Sequence, residues 1–301
     1  MAASESGPAG VRARVAARLV GRDRELDLVL AAVAAGRDLV LEGPPGTSKT
    51  TLLRAITEEW GIPLLFVEGN ADLTPAKLIG HHNPARVLRE DYSAANFVDG
   101  PLVEAMRRGG FLYIEEFNRA PEDTLNTLLT AMADRRVEIP RVGGVAAAAT
   151  FRVIASMNPY DDLGTARLST SVHDRLCRLA IGYQDDDAER GIVGLRAGGG
   201  PEGPYGEPLI GDAVALTRAT RAHPDVRQGS SVRGAIDLTL VARELAALRG
   251  VDGGGYATLV YDAMIVALSG RIHLDEAAET TPEAVLAQIW TDHFAQRAAP
   301  G

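Results

Sequence analysis

The stretch from residue 43 to residue 50, which reads Gly-Pro-Pro-Gly-Thr-Ser-Lys-Thr, constrains the fold more than any other part of the chain. It follows the apolar run Leu39–Leu41 and leads into a helix-forming segment that begins at Thr51. A strand, a glycine-rich turn and a helix in this order place backbone N–H groups and a helix N-terminus around a triphosphate. The pattern therefore predicts a phosphate-binding loop, referred to below as the P-loop (residues 43–50).

Two residues of the P-loop have specific expected roles. Lys49 is expected to reach the β- and γ-phosphates, and the Thr50 hydroxyl is expected to bind Mg²⁺. Ser48 departs from the pattern G-x-x-x-x-G-K-[ST], because it stands where the second glycine is usual. Since a seryl Cβ is small, we expect Ser48 to be tolerated in a helical first turn. The predicted nucleotide-binding set in this region is Gly43, Pro44, Pro45, Gly46, Thr47, Ser48, Lys49, Thr50 and Thr51.

A second segment, Phe111–Glu116, is a short β-prone apolar run that ends in two carboxylates. In a P-loop enzyme one acid at the end of a neighbouring strand holds Mg²⁺, and a following acid polarises the attacking water. Glu116 suits the second role and Glu115 the first. Aspartate is usual at the position of Glu115, and the extra methylene moves the carboxylate outward by about 1.5 Å. The alternative interpretation is a solvated acidic strand end.

The residues from Glu115 to Pro121 resemble the Walker B region of MoxR-type AAA+ ATPases, whose usual form is D-E-I-N-R-A-P. Four further segments resemble motifs of that family, and all five occur in the family's order from about residue 18 onward. They are Val20-Gly21-Arg22 near the nucleotide, Ile154–Pro159 with the sensor 1 asparagine, Leu168–Leu176 with its Asp-Arg pair, and Gly229–Arg233 as sensor 2. Departures from the family's pattern are Ser48, Glu115, Leu176 and Val232.

The resemblance implies further site residues. Asn158 would hydrogen-bond the attacking water or the γ-phosphate, and Arg233 would contact the γ-phosphate in cis. Arg175 is the candidate arginine finger, acting on the nucleotide of a neighbouring subunit, and Arg119 is a weaker candidate for that role. The alternative for Arg175 is a surface salt bridge with Asp174. Val20 and Gly21 complete the nucleotide-binding set.

The expected fold class is α/β, with an αβα core followed by a smaller all-helical lid domain. Alternating strands and helices predict a parallel sheet covered on both faces, and the resemblance implies the strand order 5-1-4-3-2. We expect a flexible leader at 1–17, the core at 18–184 and the lid at 185–301. The core is expected to carry a helix-2 insert at about 79–101 and a pre-sensor hairpin at about 137–150. The expected strands are 39–42, 64–68, 111–115, 151–156 and 177–182, and the expected lid helices are 211–222, 232–248, 256–269 and 282–296.

Composition and charge argue against several other classes of protein. A net charge of −9 argues against broad, sequence-independent binding of nucleic acid. No apolar run reaches the roughly 18 residues that span a bilayer, and the first residues carry no signal-peptide pattern, so we expect a cytoplasmic protein. The single cysteine, Cys177, lies in an apolar run and is expected to be a buried structural thiol. His81 and His82 are adjacent, so they are not expected to share one metal ion.

The functional hypothesis is a MoxR-like AAA+ ATPase that hydrolyses ATP with Mg²⁺ and remodels or activates a client protein. The resemblance implies a homo-oligomeric ring, expected to be a hexamer, and a von Willebrand A-domain partner protein. Two alternatives stay open. One is an ATP-dependent switch or scaffold with weak turnover, which is suggested by Glu115 at the position where aspartate is usual. The other is a DNA-directed AAA+ motor, which the acidic charge disfavours.

Overall fold

The chain divides into two compact units in a computed structural model that describes residues 7–90, 92–159, 170–198, 205–250 and 255–298. The first unit ends at Gly182 and the second begins at Tyr183. The division lies two residues before the boundary expected at residue 184. Residues 168–169 of the predicted arginine-finger segment (168–176) lie outside the described residues, and so do residues 199–204 of a glycine-rich connection at 198–204.

A parallel sheet of five strands forms the centre of the first unit. With all strands of the protein numbered in chain order, the five are β1 (Leu39–Glu42), β2 (Leu64–Glu68), β5 (Phe111–Glu115), β8 (Arg152–Met157) and β9 (Cys177–Ala180). They lie in the sheet in the order β2-β5-β8-β1-β9, so β1 is flanked by β8 and β9. The register places Leu39 opposite both Ile154 and Cys177. If these five strands are counted one to five along the chain, their order across the sheet is the predicted 5-1-4-3-2 arrangement. The α/β fold class is confirmed.

Helices cover both faces of this sheet because its strands alternate apolar side chains between two cores. In β5, for example, Tyr113 belongs to one buried cluster, whereas Leu112 and Ile114 belong to the other. On the Tyr113 face lie α1 (Pro8–Ala16), α2 (Asp23–Ala34) and α3 (Lys49–Trp60). On the other face lie α4 (Pro75–Ile79), α6 (Pro101–Arg108), α7 (Glu122–Asp134) and α8 (Thr170–Arg175).

The expectation of a flexible leader at 1–17 is wrong for the residues of helix α1. Val11 and Val15 lie one helical turn apart and are fully buried. Arg12 pairs with Asp27 at 2.7 Å, and Arg14 pairs with Glu59 at 2.9 Å. The segment is therefore a packed helix whose partners lie on α2 and α3.

Two antiparallel hairpins extend from the first unit. Strand β3 (Gly80–His82) pairs with β4 (Phe97–Asp99) between α4 and α6, in the region predicted as the helix-2 insert. Helix α5 (Pro84–Glu90) and a 3-10 turn (Ala94–Asn96) connect these two strands. Strand β6 (Arg136–Ile139) pairs with β7 (Gly143–Ala146), in the region predicted as the pre-sensor hairpin.

Cys177 is exposed, so the expectation of a buried thiol is wrong. It is the first residue of β9, which lies at the edge of the sheet. Of the four residues of β9, only Leu179 is buried. An edge strand has a neighbour on one side only, and this accounts for the exposure of residues that sit in an apolar run of sequence.

The second unit is mainly helical, but it is not all-helical as expected. Strands β10 (Val226–Gln228) and β11 (His273–Leu274) form a short antiparallel pair. These runs of two and three residues carry too little periodicity to be recognised in sequence. Among the described residues, no helix is long and apolar enough to cross a membrane. The helices are α9 (Asp186–Arg196), which was not predicted, α10 (Gly206–Ala222), α11 (Val232–Arg249), α12 (Tyr256–Leu268) and α13 (Pro282–Ala298).

Candidate nucleotide-binding site

The P-loop joins the carboxyl end of β1 to the amino end of α3, and its first residue is fixed by two neighbouring strands. The Gly43 N–H donates to the Met157 carbonyl at the end of β8, at 3.1 Å. On the other side, a Cβ at position 43 would lie 2.0 Å from the Ile181 carbonyl oxygen. Glycine is therefore required here by the close approach of a backbone, and the loop begins between the carboxyl ends of β8 and β9.

Ser48 adopts the left-handed conformation, with φ 66° and ψ 18°. The expectation that it takes a helical first-turn conformation is wrong. Ser48 is the N-cap residue of α3, and its side chain does not cap that helix. Left-handed geometry favours glycine because a Cβ meets the following carbonyl there. The glycine usual at this position thus has a backbone reason, and Ser48 holds a strained conformation.

The Lys49 ammonium folds back over the P-loop. Its Nζ donates to the carbonyl oxygens of Gly43 at 2.8 Å and Pro44 at 2.9 Å. It also lies 3.3 Å from Thr47 Oγ1, whose hydroxyl donates to the Pro44 carbonyl at 2.9 Å. These contacts hold a half-buried cation at the centre of the loop, within reach of an anion that the loop surrounds.

Thr50 and Glu115 meet across the space between α3 and β5. The Thr50 hydroxyl donates to Glu115 Oε1 at 2.9 Å. A hydroxyl and a carboxylate are hard oxygen ligands of the kind that Mg²⁺ takes beside substrate phosphates. The longer side chain of Glu115 therefore still reaches the threonine that would share a metal with it, and the two residues fit a magnesium ion.

Tyr113 lies beneath this pair and was not recognised from the sequence. Its hydroxyl is 3.1 Å from Thr50 Oγ1 and 2.9 Å from Ser156 Oγ, and its side chain is fully buried. Burial raises the pKa of the Tyr113 hydroxyl, and the negative charge of Glu115 acts in the same direction, although the bonds to Ser156 and Thr50 oppose it. The tyrosine therefore remains a proton donor. A polar tip two residues before Glu115 on the same strand face was the available signal.

Glu116 follows β5 in a left-handed conformation, with φ 53° and ψ 42°. Its Oε2 lies 3.2 Å from Nη1 of Arg119, and both side chains are about two-fifths exposed. The turn packs tightly against Gly69, whose N–H donates to the Glu115 carbonyl at 2.7 Å. A Cβ at position 69 would lie 2.3 Å from the Glu116 carbonyl oxygen. The two carboxylates thus leave the same strand end, one toward Thr50 and the other toward Arg119.

Asn158 and the segment Val20–Gly21 lie near the P-loop through their chain neighbours. Asn158 is half-buried and directly follows Met157, which accepts the hydrogen bond from Gly43. Val20 and Gly21 directly precede the buried Arg22, whose Nη2 donates to the Thr47 carbonyl at 3.0 Å. Arg22 therefore connects this segment to the P-loop.

Two predicted site residues remain, Arg175 and Arg233. Arg175 ends α8 just before the amino end of β9, whereas the P-loop follows the carboxyl end of the neighbouring parallel strand β1. Its Nη1 donates to the Ser171 carbonyl at 3.0 Å. It lines a cavity of about 670 Å³ that also has three other arginines, Arg37, Arg135 and Arg152, in its wall. Arg233 belongs to the second unit, where it is the exposed second residue of α11.

Part of the chain matches a known protein family. Residues 38–176 match the family described as "AAA domain (dynein-related subfamily)". The gas vesicle ATPase GvpN of Ancylobacter aquaticus is 28% identical over 267 residues, which are 81% of this chain and 70% of GvpN.

Two solved structures share the fold. A Cytophaga hutchinsonii protein has a TM-score of 0.51 at 21% identity and covers 96% of both chains. The Holliday junction branch migration motor RuvB of Thermotoga maritima has a TM-score of 0.55 at 18% identity, with 82% of this chain and 70% of RuvB covered.

The sheet order and the P-loop give the first unit the AAA+ P-loop α/β fold. Residues 38–176 match an AAA domain family, and a mainly helical unit follows the first unit in this chain.

Proposed function

We propose that this chain is a magnesium-dependent ATP hydrolase of the MoxR-like type, which uses turnover to remodel or activate a client protein. The observation that carries the proposal is the Thr50–Glu115 contact of 2.9 Å. This contact joins the end of the P-loop to the Walker B strand, and Glu115 directly precedes Glu116 in the chain. Glu115 is placed to share a metal with Thr50, and Glu116 is the carboxylate that hydrolysis, as distinct from binding, requires.

The residues of the first unit divide the work of ATP binding and hydrolysis. Lys49 holds the loop in shape before the nucleotide binds, because it donates to the carbonyl oxygens of Gly43 and Pro44. When the nucleotide binds, Lys49 exchanges these acceptors for phosphate oxygens. Glu116 accepts the proton of the attacking water, and Asn158 orients that water or the γ-phosphate. The Glu116 carboxylate also pairs with Arg119 of the same chain, at 3.2 Å.

Thr50 and Glu115 would hold Mg²⁺. When bound, the ion neutralises charge on the β- and γ-phosphates. The hydrogen bond between Thr50 and Glu115 orients both oxygen ligands, and Tyr113 supports the threonine from below.

Arg175 is proposed to complete the site of a neighbouring subunit. It lies at the amino end of β9, whereas its own P-loop lies at the carboxyl end of the parallel neighbour β1, so we infer that it meets the γ-phosphate of another chain and not that of its own. An arginine finger in trans is worth on the order of 10³ or more in rate. Hydrolysis is therefore proposed to require a ring, and six subunits is the number that the family resemblance implies. Arg119 is the weaker candidate because it pairs with Glu116 of its own chain.

The finer biological assignments rest on the family resemblance. They are a cytoplasmic location, a client protein, a von Willebrand A-domain partner, and contact of Arg233 with the γ-phosphate as sensor 2. A DNA-directed motor is the second candidate function, supported by the fold shared with RuvB and opposed by the net charge of −9.

Steady-state ATP hydrolysis with and without DNA tests the proposal. We expect Mg²⁺-dependent turnover that DNA does not stimulate, and loss of ATP binding in Lys49→Ala, with Lys77→Ala as a matched control outside the P-loop. Unchanged ATP affinity of Lys49→Ala in calorimetry would place the nucleotide elsewhere. Strong stimulation by DNA would favour the motor instead.

The switch hypothesis is tested at Glu115. If the extra methylene weakens turnover, Glu115→Asp raises kcat while leaving ATP affinity unchanged. If Glu115→Asp lowers kcat, the site is adapted to glutamate, and the weak-turnover switch is rejected.

A further inference from the structure

Arg22 is buried at 3% exposure and connects two backbone segments through one nitrogen. Its Nη2 donates to the Thr47 carbonyl in the P-loop at 3.0 Å and to the Gly182 carbonyl at 2.7 Å. The two N–H bonds of a single guanidinium nitrogen thus serve two acceptors that are 135 residues apart in the sequence. A third contact, from Nη1 to Glu25 at 3.1 Å, fixes the plane of the group. Charge-assisted bonds of this kind are stronger and shorter than neutral ones.

Gly182 is the last residue of the first unit, and the segment before it touches the P-loop a second time. The Ile181 carbonyl oxygen leaves no room for a Cβ at Gly43, and the Ile181 N–H donates to the Glu42 carbonyl at 2.7 Å. Residues 181 and 182 are therefore held against the P-loop at two points, by packing at Gly43 and through Arg22 at Thr47.

In the second unit, Tyr183, which follows Gly182 in the chain, is also held by a side-chain contact. The guanidinium of Arg221 lies 3.9 Å from the centroid of the Tyr183 ring. Its Nε donates to the Ser230 carbonyl at 2.6 Å, and its Nη1 pairs with the buried Glu189 at 2.8 Å. Ser230 directly precedes the N-cap of α11, the helix that carries Arg233. Within this unit, the first residue is thus tied to the start of the sensor 2 helix.

We propose that Arg22 is a positioning residue that couples the state of the P-loop to the covalent connection Gly182–Tyr183, and through Tyr183 and Arg221 to the start of α11. This inference rests on the proposed ATPase function and deepens it. When a phosphate draws Lys49 and the loop amides toward itself, the Thr47 carbonyl turns with the loop. Arg22 passes this change to Gly182 because the same nitrogen holds both carbonyls. Arg22 contacts no phosphate in this scheme, so its loss uncouples the units without emptying the site.

Arg22→Gln tests the coupling in the full chain, with Arg24→Gln as the matched control, since Arg24 is exposed in the first turn of α2, the helix that Arg22 precedes. Hydrogen exchange is measured over residues 226–232 with and without a non-hydrolysable ATP analogue. We expect the analogue to change exchange there in the wild type and in Arg24→Gln, and this change to be lost in Arg22→Gln. The kcat should fall by about tenfold or more, while ATP affinity changes severalfold less. A merely structural role would lower binding and turnover together.

Arg22→Lys covers the case in which the glutamine variant does not fold, because it keeps the pair with Glu25 but lacks the planar fork. It should restore thermal stability to the wild-type range yet only part of the exchange response.

The two proposals fail in different ways. A wild type that binds and hydrolyses ATP with no exchange change at 226–232, or an Arg22→Gln variant with an intact response and kcat, overturns the coupling alone. A wild type that neither binds nor hydrolyses ATP overturns the ATPase, and the coupling is rejected with it.

Discussion

Replacing Ser48 by glycine is expected to stabilise the first unit, because the P-loop backbone at this position is left-handed (φ 66°, ψ 18°). A residue with a Cβ pays about 1–2 kcal/mol for that conformation. Glycine in turn loses about 0.4–1 kcal/mol more backbone entropy on folding. The difference leaves a net gain of roughly 0.5–1 kcal/mol for Ser48→Gly.

Calorimetric unfolding of the nucleotide-free chain measures this gain. For a unit of this size, 1 kcal/mol corresponds to a rise in Tm of about 2–4 °C. Ser48→Ala is the control, since it removes the hydroxyl but keeps the Cβ. We expect Ser48→Ala to stay at or below the wild-type Tm and Ser48→Gly to exceed both. Equal unfolding temperatures for the glycine and alanine variants would show that the loop stores no backbone strain at Ser48.

Two further variants test the chemistry around the loop. Tyr113→Phe removes the hydroxyl that contacts Thr50 and Ser156, so a magnesium titration of turnover should show a higher Mg²⁺ requirement and a kcat lowered by about two- to tenfold; an unchanged titration would make the tyrosine a packing residue only. Arg175→Ala should keep ATP affinity and lose most turnover, and mixing it with Glu116→Gln should restore some activity, because certain interfaces then pair an intact Glu116 with an intact finger. No recovery in the mixture, with activity per chain independent of concentration, would contradict the ring.

The core sheet was predictable because its determinants are local. The run Leu39–Glu42 carries its own apolar pattern, and the observed strand has the predicted bounds. The same holds for Phe111–Glu115. Hydrophobic periodicity and turn residues are properties of neighbouring positions in the sequence, so the strands, the helices and their alternation can be predicted from the sequence. The strand order came from the family resemblance.

What could not be predicted depends on distant partners. The burial of Val11 and Val15 is created by α2 and α3, and the exposure of Cys177 by its place at the sheet edge. The left-handed backbone of Ser48 is a property of the loop path, which the small size of a serine does not reveal. The contact of Tyr113 with Thr50 joins residues 63 positions apart. Sequence patterns indicate which residue types are present, but such contacts follow only from the folded chain.

The most direct test of the central claim is ATP binding and turnover measured side by side in the wild type and in Glu116→Gln. The amide is nearly isosteric with the carboxylate but does not accept the proton of the water. We predict equal ATP affinity in the two proteins, Mg²⁺-dependent hydrolysis by the wild type, and a loss of about 10²-fold or more in the variant. Turnover in Glu116→Gln equal to that of the wild type would contradict the assignment of Glu116 as the base, and with it the proposed hydrolytic site.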